Sequence, residues 1–440
     1  MGKTTSGLLK YFKGRYAGIP CVLRSDKKID LKNLSEISDF DEIYLGNCAL
    51  DSLTEDVIFL SPSVRRERFF NLSERPILSS DAEFFLESTD SDVYAVTGSD
   101  GKSTTTKLIS LLLEGLYDEA IAAGNIGVPL TPLLQKNGKI ACVCELSSFQ
   151  LNYFSPHVKR ALITNISENH LDWHTSYEEY TAAKENLLKS AMGCVFNADD
   201  LGTKDLMRKY RPFAVYSAEK DLAKLQSEIT SENYVYTDGD FVYINGRKIL
   251  NREKLSHLSR HNTENFMAAL AVTCDLPVEE RALTVLRDFT GLSHRCERFG
   301  VYCGITFIDS SIDSSPKRTV TTLSSLDGKP IVILGGRSKG QDYSILPPVL
   351  KEKAKAIILT GETGRDILAL INEDPDFSDF GDRIIYKSNF DDAVISAAAI
   401  ASEGDTVILS PASTSFDRFS GFEERGEHFK KIIKKIYDYK

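Results

Sequence analysis

The chain has 440 residues, with 53 Lys and Arg against 63 Asp and Glu, a formal net charge of −10. That balance argues against general binding of nucleic acid or anionic membrane. The 42% hydrophobic and 26% charged residues are ordinary for a globular protein, whose length suits about two to four domains.

No apolar run approaches the roughly 18 residues a transmembrane helix needs, and the start, MGKTTSGLLKYFKGRY, has no signal-peptide shape. The eight cysteines form no C-x-x-C pair, and Cys142 and Cys144 sit in an apolar run. Free thiols in a reducing compartment are expected, rather than a zinc site or disulfide framework.

In chain order, short apolar runs predict strands at residues 93–98, 140–146, 161–166, 195–197, 305–308, 330–335, 356–360 and 406–410. Helical patterns lie between them at 102–115, 177–190, 262–274, 319–325, 391–402 and 422–437. Strands bounded by Gly, Asp and Ser, each followed by a helix, predict an α/β fold with mostly parallel sheets. Residues 233–249 alternate apolar and polar around Asp238-Gly239 and Asn245-Gly246, which predicts antiparallel hairpins, read as a small β-rich insertion. Boundaries near 88–92 and 290–293 divide the chain into residues 1–89, 90–291 and 292–440.

The strongest local signal is VYAVTGSDGKSTTTKLISLLLEG. A strand enters Gly98-Ser99-Asp100-Gly101-Lys102-Ser103-Thr104 and a helix leaves it. Glycines allow a tight turn that aims several N–H groups at one anion, and the helix N-terminus adds its positive dipole end. Lys102 would reach the β- and γ-phosphates of ATP, and the hydroxyl of Ser103 or Thr104 would bind Mg²⁺. The usual G-x-x-x-x-G-K-[ST] spacing is not met, because position 96 is Val.

Three further clusters follow. Glu145 ends the run IACVCE and opens into Leu146-Ser147-Ser148; a carboxylate at a strand's C-terminal end lies where α/β proteins bind ligands, and a solvated strand-end acid is the alternative. The run ALITNI delivers Asn165, Glu168, Asn169, His170 and Asp172, where His170 is either a metal or anion ligand or a structural histidine. Lys184 follows on the next helix, with a surface lysine as the alternative. Asn262 and Asn265 open a further helix one turn apart, as ligand contacts or as plain N-caps.

Together these motifs resemble the Mur ligase family, ATP-dependent amide-bond ligases of peptidoglycan precursor synthesis. TGSDGKST, GNIGVPL, ELSSFQL, NHLDWH, AAKENLL, HNTENFMAAL, HRCERF, LGGRSKGQD and SPASTSFDRFSGFEERGEHF occur in the family's order from about Val93 to Phe429. ELSSFQL and the C-terminal block are similar to the branch that adds D-glutamate to UDP-N-acetylmuramoyl-L-alanine. The resemblance implies three domains: a Rossmann-like N-terminal domain for the UDP-sugar, a P-loop-type central ATPase domain, and a Rossmann-like C-terminal domain for the amino acid. It also implies a cytoplasmic enzyme using ATP and Mg²⁺, expected to be a monomer with no nucleic-acid or membrane partner.

The resemblance assigns roles residue by residue. Gly98, Ser99, Asp100, Gly101, Lys102, Ser103 and Thr104 would hold ATP, with Asn262, Asn265, Arg295 and Asp309. Ser103 and Glu145 would bind one Mg²⁺, and His170 with a carbamylated Lys184 a second, because a carbamate is an anionic oxygen ligand whereas an ammonium repels the ion. Asn125, Ser147, Ser314, Lys339, Ser415 and Phe422 would contact the muramoyl-peptide substrate or D-glutamate. Lys102, Glu145, His170 and Lys184 form the expected catalytic set.

Two segments depart from the family pattern. The chain opens on what looks like the UDP-binding loop itself, without the strand before it, so a misassigned start or a truncation is expected; Asp26, at the end of CVLRSD, remains a candidate uracil contact. Around Asp309–Ser315 the family's Asn-Asp-Ser element reads Asp309-Ser310-Ser311, and its lysine becomes Ile312, leaving Lys339 as the local cation for D-glutamate. The rival readings are another amino-acid ligase of the superfamily and a catalytically dead nucleotide-binding subunit.

Overall fold

The computed structural model describes residues 3–16, 18–25, 37–46, 53–62, 64–70, 76–170, 173–251, 260–289, 291–338 and 340–438. Asp26, Asp172 and Lys339 lie outside the described residues. The chain divides into two compact units, Met1–Asp288 and Phe289–Lys440.

The first unit is built on a nine-stranded sheet. Its spatial order is Arg247–Asn251, Phe241–Ile244, Asn233–Asp238, Pro212–Ser217, Cys194–Asn197, Arg160–Ile163, Asp92–Thr97, Ile140–Glu145 and Glu119–Gly124. Pairing is parallel from Asn233–Asp238 to Glu119–Gly124. Every residue of Ile140–Glu145 is buried, as expected for a strand covered on both faces, which is why it reads as a continuous apolar run. The helix Lys102–Leu113 packs on this strand and on the helix Arg260–Val272, burying Leu108, Ile109, Leu112 and Leu113. Each such side chain contributes about 1.5–3 kcal/mol of burial free energy.

The 233–249 hairpins form as expected, but they are not a separate element. Asn233–Asp238 pairs in parallel with Pro212–Ser217 on one side and antiparallel with Phe241–Ile244 on the other, so the hairpins extend the central sheet. Asn245 and Gly246 both have positive φ, the backbone a two-residue hairpin turn of primed type demands. The strand expected at 161–166 stops at Ile163, and the helix expected at 177–190 stops at Glu185. Beyond Ile163, Thr164 Oγ1, Asn165 and Ser167 bond the phosphate loop, while Ile166 N bonds Asp200.

Upstream, the helix Lys3–Arg15 and two small parallel sheets precede the helix Asp81–Ser88. Tyr11, Phe12, Phe59 and Phe84 form an aromatic cluster there, in edge-on and tilted pairs. Asp81 accepts from the N–H groups of Leu130 and Thr131 at 3.2 and 3.0 Å, tying this part to the main sheet.

The second unit has six strands in the order Glu297–Tyr302, Ile305–Asp309, Thr406–Leu409, Ile331–Gly336, Ala356–Thr360 and Ile384–Lys387. Only the first pair among them is antiparallel, closed by a turn with positive φ at Cys303 and Gly304. Separate apolar cores line the two faces of this sheet. Cys142, Cys144, Cys194 and Cys274 are buried free thiols, while Cys303 is exposed.

Candidate functional site

The phosphate loop leaves an interior strand of the nine-stranded sheet between two flanking strands, with Val96 in register with Glu145 and Thr97 with Ile163. Gly98 and Gly101 have φ of 147° and 79°. A Cβ at Gly98 would strike Thr164 Oγ1, and one at Gly101 would strike Asn265 Oδ1, so both positions require glycine for space as well as conformation. Ser103 and Thr104 are buried. The helix head, Gly101 to Thr104, presents the positive end of the helix dipole and forms the anion-facing end.

Ser99 and Asp100 sit differently. Ser99 N donates to Asn165 O and Asp100 N to Asn165 Oδ1, both at 2.9 Å. The Ser99 hydroxyl donates to Ser167 O at 3.0 Å and lies 2.8 Å from the Tyr180 hydroxyl. Both residues belong to the loop, but their N–H groups are engaged by the neighbouring strand end.

Lys102 Nζ folds back onto Gly98 O and Ser99 O, each at 2.8 Å. Lys184 is buried, not at the surface, and its Nζ donates to the same Gly98 O at 2.7 Å. Burial, and then the charge of Lys102, hold the Lys184 amine well below its ordinary pKa. A neutral amine is the form that can add CO₂.

Glu145 is buried beside this loop. Its Oε1 accepts from Asn125 Nδ2 at 3.0 Å, and its Oε2 is buried without a hydrogen-bond partner. A buried carboxylate oxygen left unpaired costs stability. With the Ser103 hydroxyl near the head of the adjacent helix, it offers the hard oxygen donors that Mg²⁺ takes, so these residues fit the ion.

His170 is exposed, has positive φ and sets its ring 4.9 Å from that of Phe149. Its carbonyl accepts from His174 N at 2.9 Å. His174, not singled out by sequence, is buried with Nε2 2.9 Å from Ser148 Oγ. Ser147 caps the short helix Ser148–Leu151 in a reciprocal box with Gln150. Asn265 is buried and accepts from Thr105 Oγ1 at 3.2 Å, while Asn262 is half-buried one turn earlier.

In the second unit, Arg425 is the organising residue that sequence reading missed. It is fully buried in the helix Phe422–Tyr437, where burial pushes its guanidinium down to about 10. It donates to Ser311 Oγ at 3.0 Å, Ser311 O at 2.9 Å and Ser413 O at 3.0 Å. One side chain thereby fastens the loop after Ile305–Asp309 to the loop carrying Ser415. Ser415 is buried, Ser314 is half-buried, and Phe422 packs edge-on to His294 at 6.1 Å. Arg295 lies beside His294 at the turn before Glu297–Tyr302.

Asp309, expected among the residues that hold ATP, is turned into the protein. Asp309 has no exposed surface; its Oδ2 lies 2.7 Å from His294 Nδ1 and its Oδ1 accepts from Ser311 N at 2.9 Å. The end of its strand is roofed by Gly426, where a Cβ would strike His294 Nδ1, so the carboxylate points into protein. Among the described residues, His294, Glu297 and Asp309 could geometrically gather an ion. Lys430 already supplies the cation, 2.6 Å from Glu297 Oε2 and 3.7 Å from Asp309 Oδ2.

The sheet order, the glycine-built phosphate loop and the buried acid beside it define an α/β protein of the anion-binding strand–loop–helix class. Residues 96–273 match the family model of the Mur ligase middle domain, and residues 294–413 match that of the Mur ligase, glutamate ligase domain. The chain is 34% identical over 447 residues to UDP-N-acetylmuramoylalanine--D-glutamate ligase of Acetivibrio thermocellus, covering 99% of this chain and 95% of that one. A protein of the same name from Ruminiclostridium cellulolyticum is 36% identical over 396 residues, covering 87% and 83%. In fold, the chain is similar to the UDP-N-acetylmuramate-alanine ligase of Thermotoga maritima, with a TM-score of 0.55 at 18% identity over 91% and 89% of the two chains. This chain belongs to the Mur ligase family.

Proposed function

We propose that this protein is an ATP-dependent ligase that joins D-glutamate to UDP-N-acetylmuramoyl-L-alanine in peptidoglycan precursor synthesis. The observation that carries the reading is the likeness, at 34% identity across nearly both whole chains, to a relative named for that reaction. The phosphate loop and the unpaired oxygen of Glu145 support it independently. In the proposed reaction a carboxylate oxygen of the alanyl substrate attacks the γ-phosphorus of ATP, and the bond to ADP breaks. The amine of D-glutamate then attacks the acyl carbon, phosphate leaves and the amine loses a proton.

In this reading, Lys102 turns from the loop carbonyls to the phosphates, and the N–H groups of Gly101 to Thr104 hold the phosphate oxygens. Ser103 and Glu145 would hold one Mg²⁺. His170, with Lys184 as its carbamate, would hold another. Bound Mg²⁺ neutralises charge that gathers on the transferred phosphoryl group. Carbamylation joins the neutral Lys184 nitrogen to CO₂ and releases one proton. Asn125 and Ser147 would contact the nucleotide-sugar substrate, Asn262, Asn265 and Arg295 the nucleotide, and Ser314, Lys339, Ser415 and Phe422 the amino acid.

The reading further takes residues 1–89, 90–291 and 292–440 as three domains of a monomeric cytoplasmic enzyme. No helix among the described residues is long and apolar enough to cross a membrane. Phosphate release from ATP, measured with UDP-N-acetylmuramoyl-L-alanine and a panel of D- and L-amino acids, tests the assignment. Release with D-glutamate is expected; release with a different amino acid and none with D-glutamate would overturn it.

A further inference from the structure

Asn165 stands at the end of the Arg160–Ile163 strand and meets the phosphate loop with three polar atoms. Its Oδ1 accepts from Asp100 N at 2.9 Å, its Nδ2 donates to Asp100 O at 3.2 Å, and its own carbonyl accepts from Ser99 N at 2.9 Å. The side-chain amide thus pairs with the Asp100 main chain as another strand would. Thr164 Oγ1 adds a bond to Asp100 O at 2.6 Å.

The segment carrying Asn165 is itself braced. Asp200 Oδ2 accepts from Ile166 N at 3.2 Å and from Thr203 N at 2.8 Å. Gly202 lies so close to Ile166 that a Cβ would strike its carbonyl. The end of the Cys194–Asn197 strand therefore supports the end of its neighbour, which in turn supports the loop.

The consequence concerns which N–H groups can reach a phosphate. A loop of this kind binds anions with a run of main-chain N–H groups. Here the first two, Ser99 and Asp100, are already bonded, so the anion is received by the helix end, Gly101 to Thr104. We infer that Asn165 is a positioning residue for nucleotide binding, which withdraws the Ser99 and Asp100 peptides from the phosphates and sets the orientation of the helix-end N–H groups. This rests on the reading of the loop as a nucleotide site.

The test is calorimetric binding of ADP with Mg²⁺, followed by residue-resolved amide exchange of the ligand-free protein. Asn165→Ala is expected to weaken ADP binding about tenfold or more, the scale of losing two such bonds. Exchange at Asp100 N–H should rise, while Ser99 N–H, which bonds to the main chain of residue 165, should keep its protection. In turnover, the KM for ATP should rise and that for D-glutamate should not.

Affinity within about twofold of the parent protein, in a variant that melts normally, would overturn the inference. Should Asn165→Ala fail to fold, Asn165→Asp decides the matter. It keeps the shape and the acceptor for Asp100 N–H, but sets a negative charge against Asp100 O and the phosphates. Weaker ADP binding is expected, and unchanged binding would overturn the inference. Failure of the unaltered protein to bind ADP would overturn the nucleotide reading itself, and this inference with it.

Discussion

Two buried charged clusters invite comparison: the phosphate-loop region of the first unit and the Arg425–Asp309–Lys430 network of the second. Both bury lysine or arginine and carboxylate. In the second unit, three oxygens of the protein take Arg425, and Lys430 sits against Glu297 and Asp309. In the first, Lys102 and Lys184 crowd one carbonyl oxygen, and Glu145 keeps a buried oxygen with no partner. A satisfied network braces a fold, whereas an unsatisfied one stores free energy that a ligand can release. Both regions contain the residue types of a metal or anion site; the state of their hydrogen bonds separates them.

That contrast can be broken by substitution. Lys102→Ala is expected to lower phosphate release about a thousandfold, the scale of a lost phosphoryl-stabilising cation, without lowering the melting temperature; near-normal turnover would remove Lys102 from the phosphates. Lys184→Ala should cost about a hundredfold in turnover. Added short-chain carboxylates should restore part of it, since they can stand where a carbamate would; absence of any rescue counts against the carbamate.

Glu145→Gln gives a sharper and smaller test. It retains an oxygen for Asn125 and removes the unpaired charge. The ligand-free protein should gain about 1 kcal/mol in stability, while the Mg²⁺ concentration for half-maximal activity rises roughly tenfold or more. A loss of stability with unchanged Mg²⁺ demand would make Glu145 a structural acid. In the other cluster, Arg425→Met should destabilise the second unit by about 3 kcal/mol, because the Ser311 and Ser413 carbonyls lose their donor. ADP binding should stay as in the parent protein; this is the smallest functional effect expected, read by thermal unfolding beside calorimetry.

Legibility in the sequence followed the range of the interaction. The parallel strands were readable because burial on both faces makes continuous apolar runs such as IACVCE. The hairpin at Asn245-Gly246 was readable because that turn needs two residues that accept positive φ. The phosphate loop was readable in spite of Val96, since Gly98 and Gly101 supply the two positions the backbone and its neighbours demand. By contrast, Asp309 faces inward because His294 and Lys430 meet it from elsewhere in the chain, and no local spacing reports that. Arg425 lay inside an ordinary amphipathic pattern, FEERGEHF, with nothing in it to distinguish a core arginine from a surface one. Lys184 looked like a surface lysine by pattern, and its burial depends on the loop folding over it. The end of the 161–166 strand was overestimated because periodicity shows no sign of polar groups being diverted to the loop, and the 177–190 helix was overestimated where the chain after Glu185 continues as turns.

The central claim is the reaction itself. Purified protein with ATP, Mg²⁺ and UDP-N-acetylmuramoyl-L-alanine, given D-glutamate and read by mass spectrometry, tests it most directly. The account predicts a nucleotide-sugar product heavier by one glutamyl residue, formed in step with ADP and phosphate. No mass gain with D-glutamate, alongside a gain with another amino acid, would contradict it.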